Sequence, residues 1–343
     1  MLLPTPKGGQ DYPPSSWKKV LGLPEPHELT GLDLRVVRKF FWPFGIIHSK
    51  YVIVDRELAI FPSCNVSWER WFEVAVSMRG PVVQHLFDFH TAFWDDGRTP
   101  AVLERATTDD GNLQNDSNTT TASHPKGLNI PDVQTTLLPS PHTPTILPNH
   151  LQPRALAVHC PCIPDAPANF SPTPLLKTTY HLLSTAQSSI IMLTPNLTEP
   201  TVLGALIHAL DRGVNVSIWT NRHLMTMEQL VTAGTTTPNC VRDLQQRAED
   251  TRGRLEVSFF DDDGDGEAGP GTAGHRVHEG DPEFETTPVK LHAKVTMVDD
   301  DKILLGSGNM DAASWKTSQE LGVLIESRAV VDEFKRQWGY SEL

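Results

Sequence analysis

Apolar residues recur along this chain with two different periods, and the changes between them mark out its elements. Residues 1–30 are rich in Pro and polar side chains and read as an irregular lead-in. From Leu32 to Phe41 apolar and polar positions alternate imperfectly, which predicts a strand. Ile46–Val54 is dominated by β-branched residues and predicts a second strand, and Glu73–Met78 alternates again. Between Gly80 and Trp94 the apolar positions Val82, Val83, Leu86, Phe87 and Phe93 follow a helical period.

Residues 105–154 break the pattern. They are rich in Thr, Asn, Asp, Ser and Pro, and their apolar residues have no period. Such a stretch cannot bury enough apolar surface to offset its ordering entropy, so it reads as a disordered linker. Beyond it, periodicity returns. Pro174–Ala186 and Pro200–Arg212 predict helices, the second stopped by Gly213. Ser188–Thr194, Val214–Trp219 and Leu255–Phe260 predict strands, with helices over Leu224–Ala233 and Asn239–Thr251. Asp261–Thr287 is an acidic, Gly-rich loop. Val289–Val298, Ile303–Leu305 and Glu320–Ile325 then predict strands, and Val330–Trp338 a closing helix. Strands alternating with helices predict an α/β sandwich. The boundaries implied are a lead-in (1–30), a first lobe (31–104), a linker (105–154) and a second lobe (155–343).

Two of the predicted strands carry the same spaced residues. His48, Lys50, Asp55 and Asn65 repeat as His292, Lys294, Asp299 and Asn309, each set reading H-x-K-x4-D with Asn at the same distance beyond. On an extended strand residues i and i+2 share a face, so His and Lys of each copy project together. That pairing suits a phosphodiester: Lys neutralises non-bridging oxygens while His acts at phosphorus. One His can attack and form a phosphohistidine, and a second can protonate the leaving oxygen and then activate water or an alcohol. Each copy supplies one His, so the two copies must face each other, and no metal or cofactor is needed.

The duplicated motif resembles that of the phospholipase D superfamily. The second copy runs into Gly306-Ser307-Gly308-Asn309-Met310-Asp311, then Ser314 and Glu320. This is similar to the G-S-x-N block of bacterial-type cardiolipin synthases. Residues Trp71–Val83 and Phe93-Trp94 resemble the stretch after the first motif of the same enzymes. The resemblance implies a pseudo-symmetric, two-lobed α/β sandwich with the active site between lobes. The first lobe has few elements before its motif, which reads either as a shortened chain or as a degenerate lobe.

Residue by residue, the resemblance implies a catalytic set of His48, Lys50 and Asp55 with His292, Lys294 and Asp299. The two Asp are expected to act structurally. Asn65 and Asn309 are expected to bind phosphate oxygens, with Ser307 adding a hydroxyl. Glu73 and Glu320 are expected to hold a His ring. His48 is the expected nucleophile and His292 the acid. In the first copy Pro62 stands where the family has Gly, and proline fixes φ and removes an N–H, so Asn65 is expected to shift.

The implied activity is cleavage or transfer at a glycerophospholipid phosphodiester, at a membrane surface to which the protein is peripheral. Water as acceptor would make a phospholipase, and a lipid alcohol a cardiolipin synthase-like transferase. Two alternatives are a nuclease or DNA-end phosphodiesterase of the same superfamily, and a catalytically inactive lipid-binding relative.

Composition narrows the choice. The formal net charge is −13, which argues against dedicated nucleic-acid binding. The chain's start lacks the apolar run of a signal peptide, and no stretch reaches the roughly 20 apolar residues of a membrane span. An intracellular protein, cytoplasmic or peripheral to a membrane, is expected. Cys160-Pro161-Cys162 is spaced too tightly for a zinc knuckle and has no second pair. Asp261, Asp263 and Asp265 imitate a calcium loop, but its last ligand position is Thr272 rather than Glu. His275 and His278 in that loop read as exposed. Trp71 and Trp94 are expected in the core, while Trp68 and Trp315 are open between core and cleft.

Overall fold

A computed structural model describes residues 10–32, 34–39, 46–65, 69–95, 130–140, 173–260 and 290–339. Its largest element is a seven-stranded mixed sheet. Numbered along the chain, its strands are β7 (Gln134–Ser140), β8 (Ser189–Leu193), β9 (Asn215–Thr220), β10 (Leu255–Phe259), β12 (Val295–Val298), β13 (Lys302–Gly306) and β14 (Glu320–Glu326). In space the order is β10-β9-β8-β12-β13-β14-β7. The pairs β10/β9 and β9/β8 are parallel, and all others are antiparallel.

Both faces of this sheet are covered, which is why strands such as Ser-Ile-Ile-Met-Leu are apolar at nearly every position. Ile190, Met192, Ile218, Val298 and Leu304 point to one face. There they meet the helices α2 (Pro174–Thr185), α3 (Pro200–Arg212) and α5 (Thr237–Ala248). The alternate residues Ile191, Leu193, Val295, Met297 and Ile303 form the opposite core with Val331 and Trp338 of α7 (Arg328–Trp338). Among the described residues the remaining α-helices are α1 (Pro81–His90), α4 (Thr226–Ala233) and α6 (Ala312–Lys316).

The helix ends follow their local chemistry. Thr173 and Ser327 accept the N–H of Leu176 and Val330 at the starts of α2 and α7, as short hydroxyl side chains do at N-caps. Gly213 ends α3 at φ 94°, a left-handed conformation that glycine tolerates without Cβ strain.

The first motif copy lies on a separate three-stranded antiparallel sheet, β3 (Val52–Val54), β4 (Leu58–Pro62) and β6 (Ala75–Arg79). Helix α1 packs Val82, Val83 and Leu86 against Ala59 and Phe61, and Leu321 of the large sheet joins the same cluster. The short strands β5 (Trp71–Phe72) and β11 (Lys290–Leu291) pair in parallel, linking the two halves.

Several expectations need correction. Residues 134–140, placed in the linker by composition, form β7 and pair along all seven residues of β14. Backbone pairing to an apolar strand orders a segment whose own side chains carry no clear period. Leu138 is buried there. The lead-in is not wholly irregular either. β1 (Gln10–Asp11) pairs with β2 (Val37–Arg38), the only strand described within 32–41, and Trp17 between them is buried. The calcium-like loop, His275, His278, Trp68, Cys160 and Cys162 lie outside the described residues.

Candidate active site

Both H-x-K motifs sit just before their strands rather than on them, since β3 begins at Val52 and β12 at Val295. A single exchange across the molecule explains this in each case. His48 N–H donates to the Gln319 carbonyl at 2.9 Å, and His292 N–H donates to the Phe72 carbonyl at 2.9 Å. Each accepting residue immediately precedes a glutamate. The backbone pairing therefore delivers Glu320 to His48 and Glu73 to His292.

The side chains complete the crossing. His48 Nδ1 lies 3.1 Å from both carboxylate oxygens of Glu320, and His292 Nδ1 lies 2.6 Å from Glu73 Oε1. A carboxylate facing Nδ1 holds the proton there and leaves the Nε2 lone pair for chemistry. Each glutamate is braced by a serine of its own copy. Ser307 donates to Glu320 at 2.5 Å, and Ser63 donates to Glu73. The Ser307 proton is thus committed to Glu320, away from the phosphate contact expected of it. Ser63, its counterpart, carries no signal in the sequence beyond its place in the motif.

Electrostatics reinforce the convergence. Lys50 and Lys294 each donate to the backbone carbonyl of the motif His two residues earlier, at 2.5 Å. Burial lowers Lys50 to about 8 and Lys294 to about 7, partly offset in both by Glu73 and Glu320. Burial also lowers His292, against the opposing pull of its Glu73 hydrogen bond. Burial would raise Glu73 and Glu320, yet each is lowered. For Glu73 the His292 hydrogen bond prevails, and for Glu320 the charge and hydrogen bond of His48. Trp71 lies against the His292 ring with centroids 4.6 Å apart, so it belongs to the site rather than to the core.

The two asparagines differ. Asn309 is buried, its Nδ2 donates to Asp311 Oδ2 at 3.0 Å, and its Oδ1 has no partner. Asn65 is exposed, beyond Pro62. The Gly at Pro62's counterpart has a reason. A Cβ on Gly306 would stand 2.5 Å from the Leu321 carbonyl oxygen.

The motif aspartates lie away from this cluster. Asp55 and Asp299 both adopt φ 52°, and the next residues, Arg56 and Asp300, are also left-handed. They open matching three-residue hairpin loops, 55–57 between β3 and β4 and 299–301 between β12 and β13. Asp299 also accepts the N–H groups of Gln187, Ser188 and Ser189 at 2.7–3.1 Å, pinning its hairpin to the start of β8.

Two further groups stand at the site, Asp311, which the motif block contained without a role, and Glu228, which the sequence did not signal. Asp311 caps α6 by accepting Ser314 N–H at 2.8 Å and lies 3.3 Å from the Asn196 amide. Glu228 on α4 is pushed up to about 6, by burial first and then by Asp311 and Glu320. Trp315 is buried in the core, and no cluster able to hold a metal occurs among the described residues.

Residues 180–339 match the family described as the cardiolipin synthase, phospholipase D-like domain. Among solved structures, the chain is similar to the phospholipase D family member Nuc from Salmonella typhimurium. The identity is 15%, over 61% of this chain and 93% of that one, with a TM-score of 0.35. Phosphatidylserine synthase from Haemophilus influenzae is 14% identical over 86% of this chain and 62% of that one, with a TM-score of 0.48. NucT from Helicobacter pylori is 12% identical over 61% and 94%, with a TM-score of 0.33. No curated protein matches. Among the described residues no helix is long and apolar enough to cross a membrane.

Proposed function

We propose that the chain, of which residues 180–339 match a phospholipase D-like family, is a phospholipase D-like enzyme that cleaves or transfers a glycerophospholipid phosphodiester through a covalent phosphohistidine. The observation that carries this reading is the crossed pair of His–Glu contacts, each made across the two motif copies. The polypeptide is read as two phospholipase D-like lobes, 31–104 and 155–343, the first shortened, with the strand 134–140 added to the second lobe's sheet.

His292 takes the nucleophile's part, which reverses the expectation from family resemblance. It is the more buried of the pair, and burial favours the neutral imidazole that attacks. His292 Nε2 forms the N–P bond while His48 gives its proton to the departing alcohol oxygen. His48 then takes a proton from water or a lipid alcohol, whose oxygen attacks phosphorus and releases His292. Lys50, Lys294 and Asn309 bind the non-bridging oxygens, and Glu73 and Glu320 orient the rings.

The test supplies phosphatidylglycerol vesicles and, separately, single-stranded DNA to wild type and to the His48→Asn and His292→Asn variants. Phosphatidic acid or cardiolipin formed by wild type alone supports the reading. Cleavage of DNA alone assigns the nuclease alternative, and lipid binding without turnover assigns the inactive relative.

A further inference from the structure

Helix α4 is amphipathic in the reverse of the usual sense. Gln229, its polar residue at the helix centre, is buried, while Met227, Leu230 and Val231 are exposed at 73%, 45% and 52%. At about 100° per residue those three occupy one arc opposite Gln229. Met225, at the foot of the helix, is also exposed.

The buried face explains where the helix sits. Gln229 meets Asn196 at 2.9 Å and accepts the N–H and hydroxyl of Thr237 at 2.6 and 2.9 Å. Asn196 lies against Asp311, which holds Asn309. Glu228 feels the charges of Asp311 and Glu320. One side of α4 therefore forms part of the wall of the candidate active site, and the other presents apolar side chains to water.

We infer that the outward face of α4 is the surface by which the protein seats on a phospholipid bilayer, bringing the site over the headgroups. This rests on the lipid reading proposed above. Exposed apolar patches are uncommon on soluble surfaces and mark contact sites. A second copy of the chain fits less well as the occupant. Side chains on two turns of helix expose far less than the roughly 800 Å² per partner that a stable dimer buries. Insertion into a bilayer needs no such area, because each large apolar side chain leaving water strengthens binding by roughly an order of magnitude. The only ionisable side chain on α4 is Glu228, on the side toward the site. With a chain charge of −13, attachment must come from apolar insertion rather than attraction to anionic lipid.

The experiment sediments the full chain with phosphatidylcholine vesicles containing some phosphatidylglycerol, at low and high salt. Wild type should partition onto them with little salt dependence. The Met227→Asp/Leu230→Asp variant should lose roughly tenfold or more of that partitioning. Its turnover of soluble short-chain phosphatidylglycerol should be unchanged. A Met227→Trp variant should bind, and its emission should shift to the blue with vesicles. Absence of wild-type binding overturns the inference, as does equal binding by the Asp variant. Vesicle-free dimers of wild type that the Asp variant dissolves would assign the face to a second copy and likewise overturn it. Should binding follow α4 while no diester, soluble or vesicular, is turned over, the docking face stands and the catalytic reading falls.

Discussion

Val54 and Val298 hold the same place in the two motif copies, six residues after the motif His, yet one is 41% exposed and the other 3%. The reason is a neighbour. β12 lies between β8 and β13, whereas among the described residues β3 pairs with β4 alone. The preceding pair inverts the usual chemistry: Val52 is 48% exposed, and its counterpart Thr296 is buried without a partner for its hydroxyl. Despite this, the hairpin turns, the Ser–Glu braces and the His–Glu contacts match in the two copies. The geometry of the candidate site depends on the cross-pairing at Gln319 and Phe72, and sheet burial around each motif is a separate matter of stability.

If that separation is right, the copies must be equally indispensable to turnover. His48→Asn and His292→Asn should each lower kcat by roughly 10³-fold or more. They should differ on an activated diester whose leaving group needs no proton. With a nitrophenyl lipid diester, His48→Asn should still release one equivalent of nitrophenol and accumulate phosphoenzyme, and His292→Asn should release none. The opposite pattern would return the nucleophile's part to His48.

The glutamates test the crossing itself. Glu73→Gln and Glu320→Gln should each cost roughly 10²-fold in kcat, since each replaces the carboxylate facing a His ring with a neutral amide that no longer stabilises the imidazolium. Combining Glu320→Gln with His48→Asn should cost little more than His48→Asn alone, because they act as one unit. Additive losses would mean that Glu320 does not work through His48.

This crossing shows where the sequence stops being legible. From residue 173 onward most described elements fall within a few residues of their expected bounds, since caps such as Thr173, Ser327 and Gly213 and a strong apolar period write them locally, whereas Val289–Val298 divides into β11 and β12 and α6 was not expected. The repeated motif likewise pointed to His48, Lys50, His292, Lys294 and Asn309, which line the candidate site. Which Glu serves which His was not, because it depends on backbone pairs that lie far apart in the chain. Strand β7 was hidden because its order comes from β14. Glu228 enters the site from a segment with no motif, and Trp71 from one whose resemblance gave it no role.

Acidity should distinguish the copies less strongly. On the proposed reading Lys294 and Lys50 bind phosphate, which they do only when protonated, so kcat/KM should fall as pH rises through about 7 and then about 8. On the acid side it should rise as His292 loses its proton below the usual His range. Arginine keeps its charge throughout. Lys294→Arg should therefore move the alkaline limb from about 7 toward about 8, where Lys50 sets it. An unmoved limb would place its origin outside Lys294.

The smallest effect returns to the two valines. Val298→Ala removes buried methyl groups between the sheet and its helices and should destabilise the fold by about 2 kcal/mol. Val54→Ala trims a side chain already in water and should stay within about 0.5 kcal/mol. Denaturant unfolding of both variants measures the difference directly. Neither change should alter kcat by more than about twofold, because both positions lie six residues beyond the His whose backbone pairs with Gln319 or Phe72. A Val54→Ala penalty as large as that of Val298→Ala would mean that β3 is covered in the folded protein. The first motif would then owe its order to a neighbour along the outer edge of β3 as well as to β4.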